Sequence, residues 1–98
     1  MTRIVKMKFR PDMVSTFEKV FWSSKLFIEQ MPGCEGVTLH RDRSDHCTMF
    51  TISEWKSEEH LNEYRSSEFF RATWLKTKEL FDAKPEAWSL DNITNNNN

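Results

Sequence analysis

The chain has 98 residues and a formal net charge of −1 at pH 7, with 14 Lys and Arg against 15 Asp and Glu. That length fits a single domain, and the balanced charge leaves no broad basic field to hold a nucleic-acid backbone. Aromatic residues make up 13%, including eight Phe and four Trp, which predicts a core built from rings, each burying a large area.

A chain this short buries a limited fraction of its surface, so a second copy of itself is the expected partner. The segment Met1–Lys6 has no apolar signal core, and no apolar run reaches the length of a membrane helix. This predicts a cytoplasmic protein with no membrane association, in which Cys34 and Cys47 stay as free thiols. Neither Cys-x-x-Cys nor His-x-x-x-His occurs, so no metal site is expected.

In chain order, residues 3–10 alternate as a strand, with Val5, Met7 and Phe9 on one face and Ile4, Lys6 and Lys8 on the other. Pro11 ends it, and Asp12 is placed to cap a helix over residues 13–30. In that helix Met13, Phe17, Val20, Phe27 and Met31 form one apolar row, flanked by Val14, Phe21 and Ile28. Trp22 and Leu26 lie on a different side, as peripheral packing or as a second contact surface. Pro32-Gly33 stops the helix. Residues 34–41 read as a strand with Val37 and Leu39 opposite Thr38 and His40. A polar turn at 42–45 leads to a strand over 47–55, and the two strands form a hairpin. Ser57 caps a short helix over 58–65, and a second helix restarts at Ser67 and runs to residue 81. Pro85 precedes a last strand over 86–91. Residues 1–94 thus form the domain, and the tail Asn95–Asn98 has nothing to bury and is expected to be disordered.

The order strand, helix, strand, strand, helix pair, strand is the ferredoxin-like split βαβ pattern, an α+β fold whose antiparallel sheet carries helices on one face. Apolar residues alternate on both sheet faces, which predicts that the second face packs on a second copy to give a dimeric α+β barrel.

The stretch from Trp55 to Trp74 crosses from strand to helix and gathers two of the four tryptophans and the only tyrosine. Tyr64 is the candidate polar group of an aromatic pocket, able to hydrogen-bond a substrate phenol or ketone and relay a proton. The plain alternative is a core tyrosine tied to a carbonyl. His60, one turn away, is a candidate proton acceptor, or else an exposed helix histidine. Trp55, Phe70 and Trp74 are candidates to stack on a flat ligand, or simply core aromatics. Met7 lines the same pocket if it faces the helices, and Ser53 is a further polar candidate.

Pro32-Gly-Cys-Glu-Gly36, the strand end Glu54-Trp55-Lys-Ser-Glu-Glu, the segment His60-Leu-Asn-Glu-Tyr64-Arg-Ser-Ser-Glu-Phe69 and the closing Ala87-Trp88-Ser resemble the antibiotic biosynthesis monooxygenase (ABM) domain family over about residues 3–92. The resemblance implies two ferredoxin-like subunits packed sheet to sheet. It also implies a monooxygenase that oxidises a flat phenol or quinol with O₂ and uses no metal or flavin, the substrate supplying the electrons. Relatives of this fold include haem-degrading proteins, which use an asparagine on the first strand, a tryptophan on the short helix and a histidine on the next helix. The matching positions here hold Met7, Tyr64 and Trp74. Small-quinol members carry a glutamate before the strand-three tryptophan and histidines in the helical segment, where this chain has Ser53, Tyr64 and Phe69. Beside the oxygenase stand two alternatives, a non-catalytic dimeric small-ligand module and a haem binder using another ligand.

Overall fold

The computed structural model describes residues 1–94, so the Asn95–Asn98 tail lies outside the described residues. Four strands form one sheet: β1 (Thr2–Lys8), β2 (Cys34–Arg41), β3 (Thr48–Trp55) and β4 (Glu86–Leu90). Their order is β2-β3-β1-β4, with every neighbouring pair antiparallel. Helices α1 (Val14–Glu29), α2 (Glu58–Arg65) and α3 (Glu68–Lys78) complete the α+β ferredoxin-like arrangement. Among the described residues no helix is long and apolar enough to cross a membrane.

The registers place Arg3, Val5 and Met7 of β1 on the same face as Met49, Thr51 and Ser53 of β3, Val37 and Leu39 of β2, and Ala87 of β4. This face carries the core, where Met7, Phe9, Met49, Trp55, Val37 and Leu61 are buried with Phe17, Phe21 and Ile28 of α1. The opposite face presents Ile4, Phe50, Ile52, Trp88 and Leu90, with Trp88 and Leu90 left largely exposed.

Several boundaries and faces differ from the sequence expectation. Strand β1 ends at Lys8, and Phe9 makes only an isolated bridge to Phe81. Asp12 caps nothing. Pro11 instead opens a 3₁₀ turn over Pro11–Met13, and neither that turn nor α1 has a side-chain cap. The inward row of α1 is Phe17, Phe21, Ser24 and Ile28, not the row through Phe27. Ser24 is tolerated there because its hydroxyl donates to the Val20 carbonyl at 2.7 Å. Phe27 turns outward and stacks on Phe69, centroids 3.9 Å apart, while Trp22 and Leu26 are exposed. Cys47 precedes β3, with its N–H donating to Asp45 Oδ1 at 3.0 Å. Cys34 pairs in register with Trp55 at the other end of the hairpin, about 25 Å away at strand spacing, and both thiols are free.

Helices α2 and α3 start where their serines predict. The Ser57 hydroxyl accepts from the His60 N–H at 3.2 Å and that of Ser67 from the Phe70 N–H at 3.1 Å. Gly33 closes the loop before β2 with φ at +82°, and a Cβ built there would lie 2.2 Å from His60 Cγ. Only glycine fits both the backbone and the close approach. Gly33→Ala is therefore expected to lower the unfolding free energy by about 2 kcal/mol, read from the urea midpoint. An unchanged midpoint would mean that α2 does not lie against this turn as described.

Candidate active site

Between the inner sheet face and the helices lies a cavity of about 340 Å³. Its floor is Val5 and Met7 of β1, Val37 of β2, and Thr51, Ser53 and Trp55 of β3. Helix α1 contributes Phe17, Val20, Phe21, Ser24 and Ile28, and the α2–α3 pair contributes Leu61, Tyr64, Arg65, Phe70, Thr73, Trp74 and Thr77. Arg3, Pro85, Glu86 and Ala87 form the β4 side. The lining is mainly apolar, with a few polar groups converging on it, which is the character of a small-molecule site.

Six of the seven residues expected at a pocket are in this lining: Met7, Ser53, Trp55, Tyr64, Phe70 and Trp74. His60 is the exception. Its Nδ1 shares a 2.7 Å hydrogen bond with the Ser57 hydroxyl, and its ring sits over Gly33. The i, i+4 spacing puts His60 and Tyr64 on neighbouring positions of α2, but the contact with Gly33 turns the imidazole to the loop side.

The rings are ordered by one another. Trp55 is buried completely, and its indole N–H donates to Ser53 Oγ at 2.9 Å. Ser53 thus serves to fix Trp55, two residues along on the same face. Tyr64 stacks on Trp55 with centroids 5.3 Å apart and planes at 23°, and meets the edge of Phe70 at 5.1 Å. Phe70 and Trp74 lie nearly parallel at 5.9 Å. Trp74 meets Phe81, which joins Phe9 and through it Phe17. The result is a continuous aromatic chain from the cavity floor to the far end of the core.

Among the described residues no hydrogen bond engages the Tyr64 hydroxyl, and no fully buried side-chain N or O lacks a partner. The hydroxyl therefore reaches accessible space in the cavity rather than being sealed in the core. Burial, and secondarily the nearby Cys34, push its ionisation well above the ordinary tyrosine value of 10. The phenol stays protonated, so it acts as a hydrogen-bond donor and not as a base. Burial also raises the Cys34 thiol. Among the described residues no group of three or more His, Cys, Asp or Glu side chains could hold a metal ion.

Arg3, Arg65, Ser24, Thr51, Thr73 and Thr77 are lining residues that the sequence reading did not single out. A signal existed for Arg3, which shares the alternation of Val5 and Met7 and so had to face inward with them.

The sequence model of the antibiotic biosynthesis monooxygenase family matches residues 1–74, and the chain belongs to that family. The fold also matches solved structures. An antibiotic biosynthesis monooxygenase crystal structure aligns with a TM-score of 0.86 at 16% identity, covering 95% of this chain and 99% of the other. Rv0793 from Mycobacterium tuberculosis gives 0.82 at 18% identity, covering 94% and 96%. A conserved protein from Methanosarcina mazei Go1 gives 0.83 at 22% identity, covering 89% and 87%. No curated protein matches the sequence.

The buried Tyr64 has a consequence for stability. A folded-state ionisation raised above the unfolded value gives stability that is present below about pH 10 and is lost as pH rises beyond it. Wild type is expected to lose stability between pH 9 and 11, as measured by urea unfolding, more steeply than Tyr64→Phe. Equal slopes would place the Tyr64 hydroxyl in open solvent.

Proposed function

We propose that this protein is a cofactor-independent monooxygenase that oxidises a flat phenolic or quinol-like molecule with O₂. The observation that carries the reading is the unengaged Tyr64 hydroxyl in a cavity walled by Trp55, Phe70 and Trp74. An apolar cavity of about 150 Å³ takes one benzene ring, so about 340 Å³ suits two fused rings.

In this reading the substrate phenol binds with its ring against Trp74 and Tyr64, and the Tyr64 O–H donates to its oxygen. The phenolic proton passes to solvent at the cavity mouth, since Tyr64 is no base and His60 faces the loop, and its loss makes the ring electron-rich. The phenolate gives one electron to O₂, the aryloxyl radical and superoxide recombine at a ring carbon to form a C–O bond, and the peroxide takes up a proton from solvent. The hydroperoxide then loses water to leave a carbonyl. The net change converts a ring C–H and O–H plus O₂ into a quinone and one water, so the substrate provides all the electrons. The protein contributes a dry pocket, stacking and one positioned donor.

The functional unit is a homodimer in the same reading. Ile4, Phe50, Ile52, Trp88 and Leu90 form an apolar stripe on the sheet face away from the helices, the kind of surface that a second copy can cover. Sedimentation is expected to give the mass of two subunits for wild type and of one for Ile52→Glu. A monomeric wild type would remove the sheet-to-sheet assembly.

Oxygen uptake with 1,4-dihydroxynaphthalene or anthrone, with no added metal or flavin, tests the chemistry. Turnover is expected, reduced about 100-fold in Tyr64→Phe, the lower end of what a positioned proton donor contributes. Binding of these compounds with no oxygen uptake would favour the non-catalytic ligand module instead.

A further inference from the structure

The β4 side of the cavity carries two guanidinium groups. Arg3 lies on the inner face of β1, opposite Ser53 on one side and Ser89 on the other. One of its five N–H donors is used, Nη1 donating to Ser89 Oγ at 3.0 Å. Arg65, in the last turn of α2, lines the same cavity from the helix side and is exposed. Four ion pairs exist among the described residues: Lys6–Glu86, Lys8–Asp45, Lys25–Glu29 and Arg41–Glu18. Among the described residues neither Arg3 nor Arg65 has a carboxylate partner. Glu86 is the one acidic residue in the lining, and its side chain belongs to the opposite sheet face, where its carboxylate lies 4.0 Å from Lys6 Nζ.

This arrangement is not what charge balance alone produces, because the chain has one more acid than base. Arg3 is partly desolvated and feels the positive charge of Arg65, both of which lower its ionisation. Two like charges lining one apolar cavity, one of them partly desolvated, repel unless an anion joins them. A guanidinium fork matches a planar carboxylate in shape and donor spacing. The geometry points to Arg3 and Arg65 as an anion clamp that holds a ring carboxylate of the cavity's ligand, so that the ligand is a flat aromatic acid. The acid group would sit at the rim between Arg3 and Arg65, with the rings reaching inward toward Trp55 and Trp74. This assignment rests on the reading of the cavity as a site for flat aromatics and specifies which of them it prefers.

Calorimetric titration of the full chain with 2-naphthoate and with its neutral isostere 2-naphthamide separates the two ideas. Wild type is expected to bind the acid at least about tenfold more tightly than the amide. Arg65→Gln and Arg3→Gln should each remove about tenfold for the acid and leave the amide unchanged, while Arg65→Lys keeps most of the preference. Arg65 is exposed, so its replacement leaves the fold intact and the comparison interpretable. Equal binding of acid and amide, or a preference for the acid that survives both glutamine variants, would overturn the clamp and leave the aromatic cavity standing. Binding of neither compound would overturn both.

Discussion

The site depends on how Trp55 is held. It is the last residue of β3, it is buried completely, and every part of it is engaged. Its backbone exchanges hydrogen bonds with Met1, and its indole N–H donates to Ser53. Its ring supports Tyr64. The next residue, Lys56, donates to the Gly33 carbonyl at 2.8 Å, which ties the end of β3 to the loop before β2. Helix α2 begins immediately afterwards at the Ser57 cap. The strand end, the loop and the helix start are therefore fixed at one point, and the direction of α2 follows from it. An indole in this position contributes on the order of 3–5 kcal/mol, a large share of the stability of a small domain.

From that anchor the aromatic chain divides the interior into two parts. Toward Phe81, Phe9 and Phe17 the rings close on one another, with Phe9 and Phe17 stacked at 4.2 Å. Toward Tyr64, Phe70 and Trp74 they border the cavity. Packing in the first part holds the helices to the sheet. The second part borders the cavity of about 340 Å³, with the neutral Tyr64 phenol and the guanidinium groups of Arg3 and Arg65 in its lining. The two sheet faces are divided in a similar way. The inner face builds the cavity, and the outer face carries Ile4, Phe50, Ile52, Trp88 and Leu90.

Much of this was legible in the sequence, and the failures have physical causes. Serine caps at 57 and 67 and the period-2 alternation in β1 and β2 gave the elements and the inward faces, because these signals are local. The clustering of Trp55, Tyr64, Phe70 and Trp74 was legible for the same reason, since strand parity and helical spacing put them on facing surfaces. The inner row of α1 was misread because Ser24 looks polar, and its bond to the preceding turn is invisible in a hydropathy pattern. His60 was misplaced because spacing along α2 says nothing about Gly33, which lies 27 residues earlier and fixes the imidazole only once the chain has folded. Arg3 was not singled out, although parity already placed it with Val5 and Met7.

The family accounts for the fold, and of the positions compared with its relatives Met7, Ser53, Tyr64 and Trp74 line the cavity, while Phe69 lies outside the lining and stacks on Phe27. What the site does therefore turns on what these residues hold. A crystal structure of the protein soaked with 2-naphthol addresses this directly. The account predicts ring density between Trp74 and Tyr64, with the ligand oxygen within hydrogen-bonding distance of the Tyr64 hydroxyl. Density for the ligand elsewhere, with this cavity empty or filled by a shifted Trp74, would contradict it.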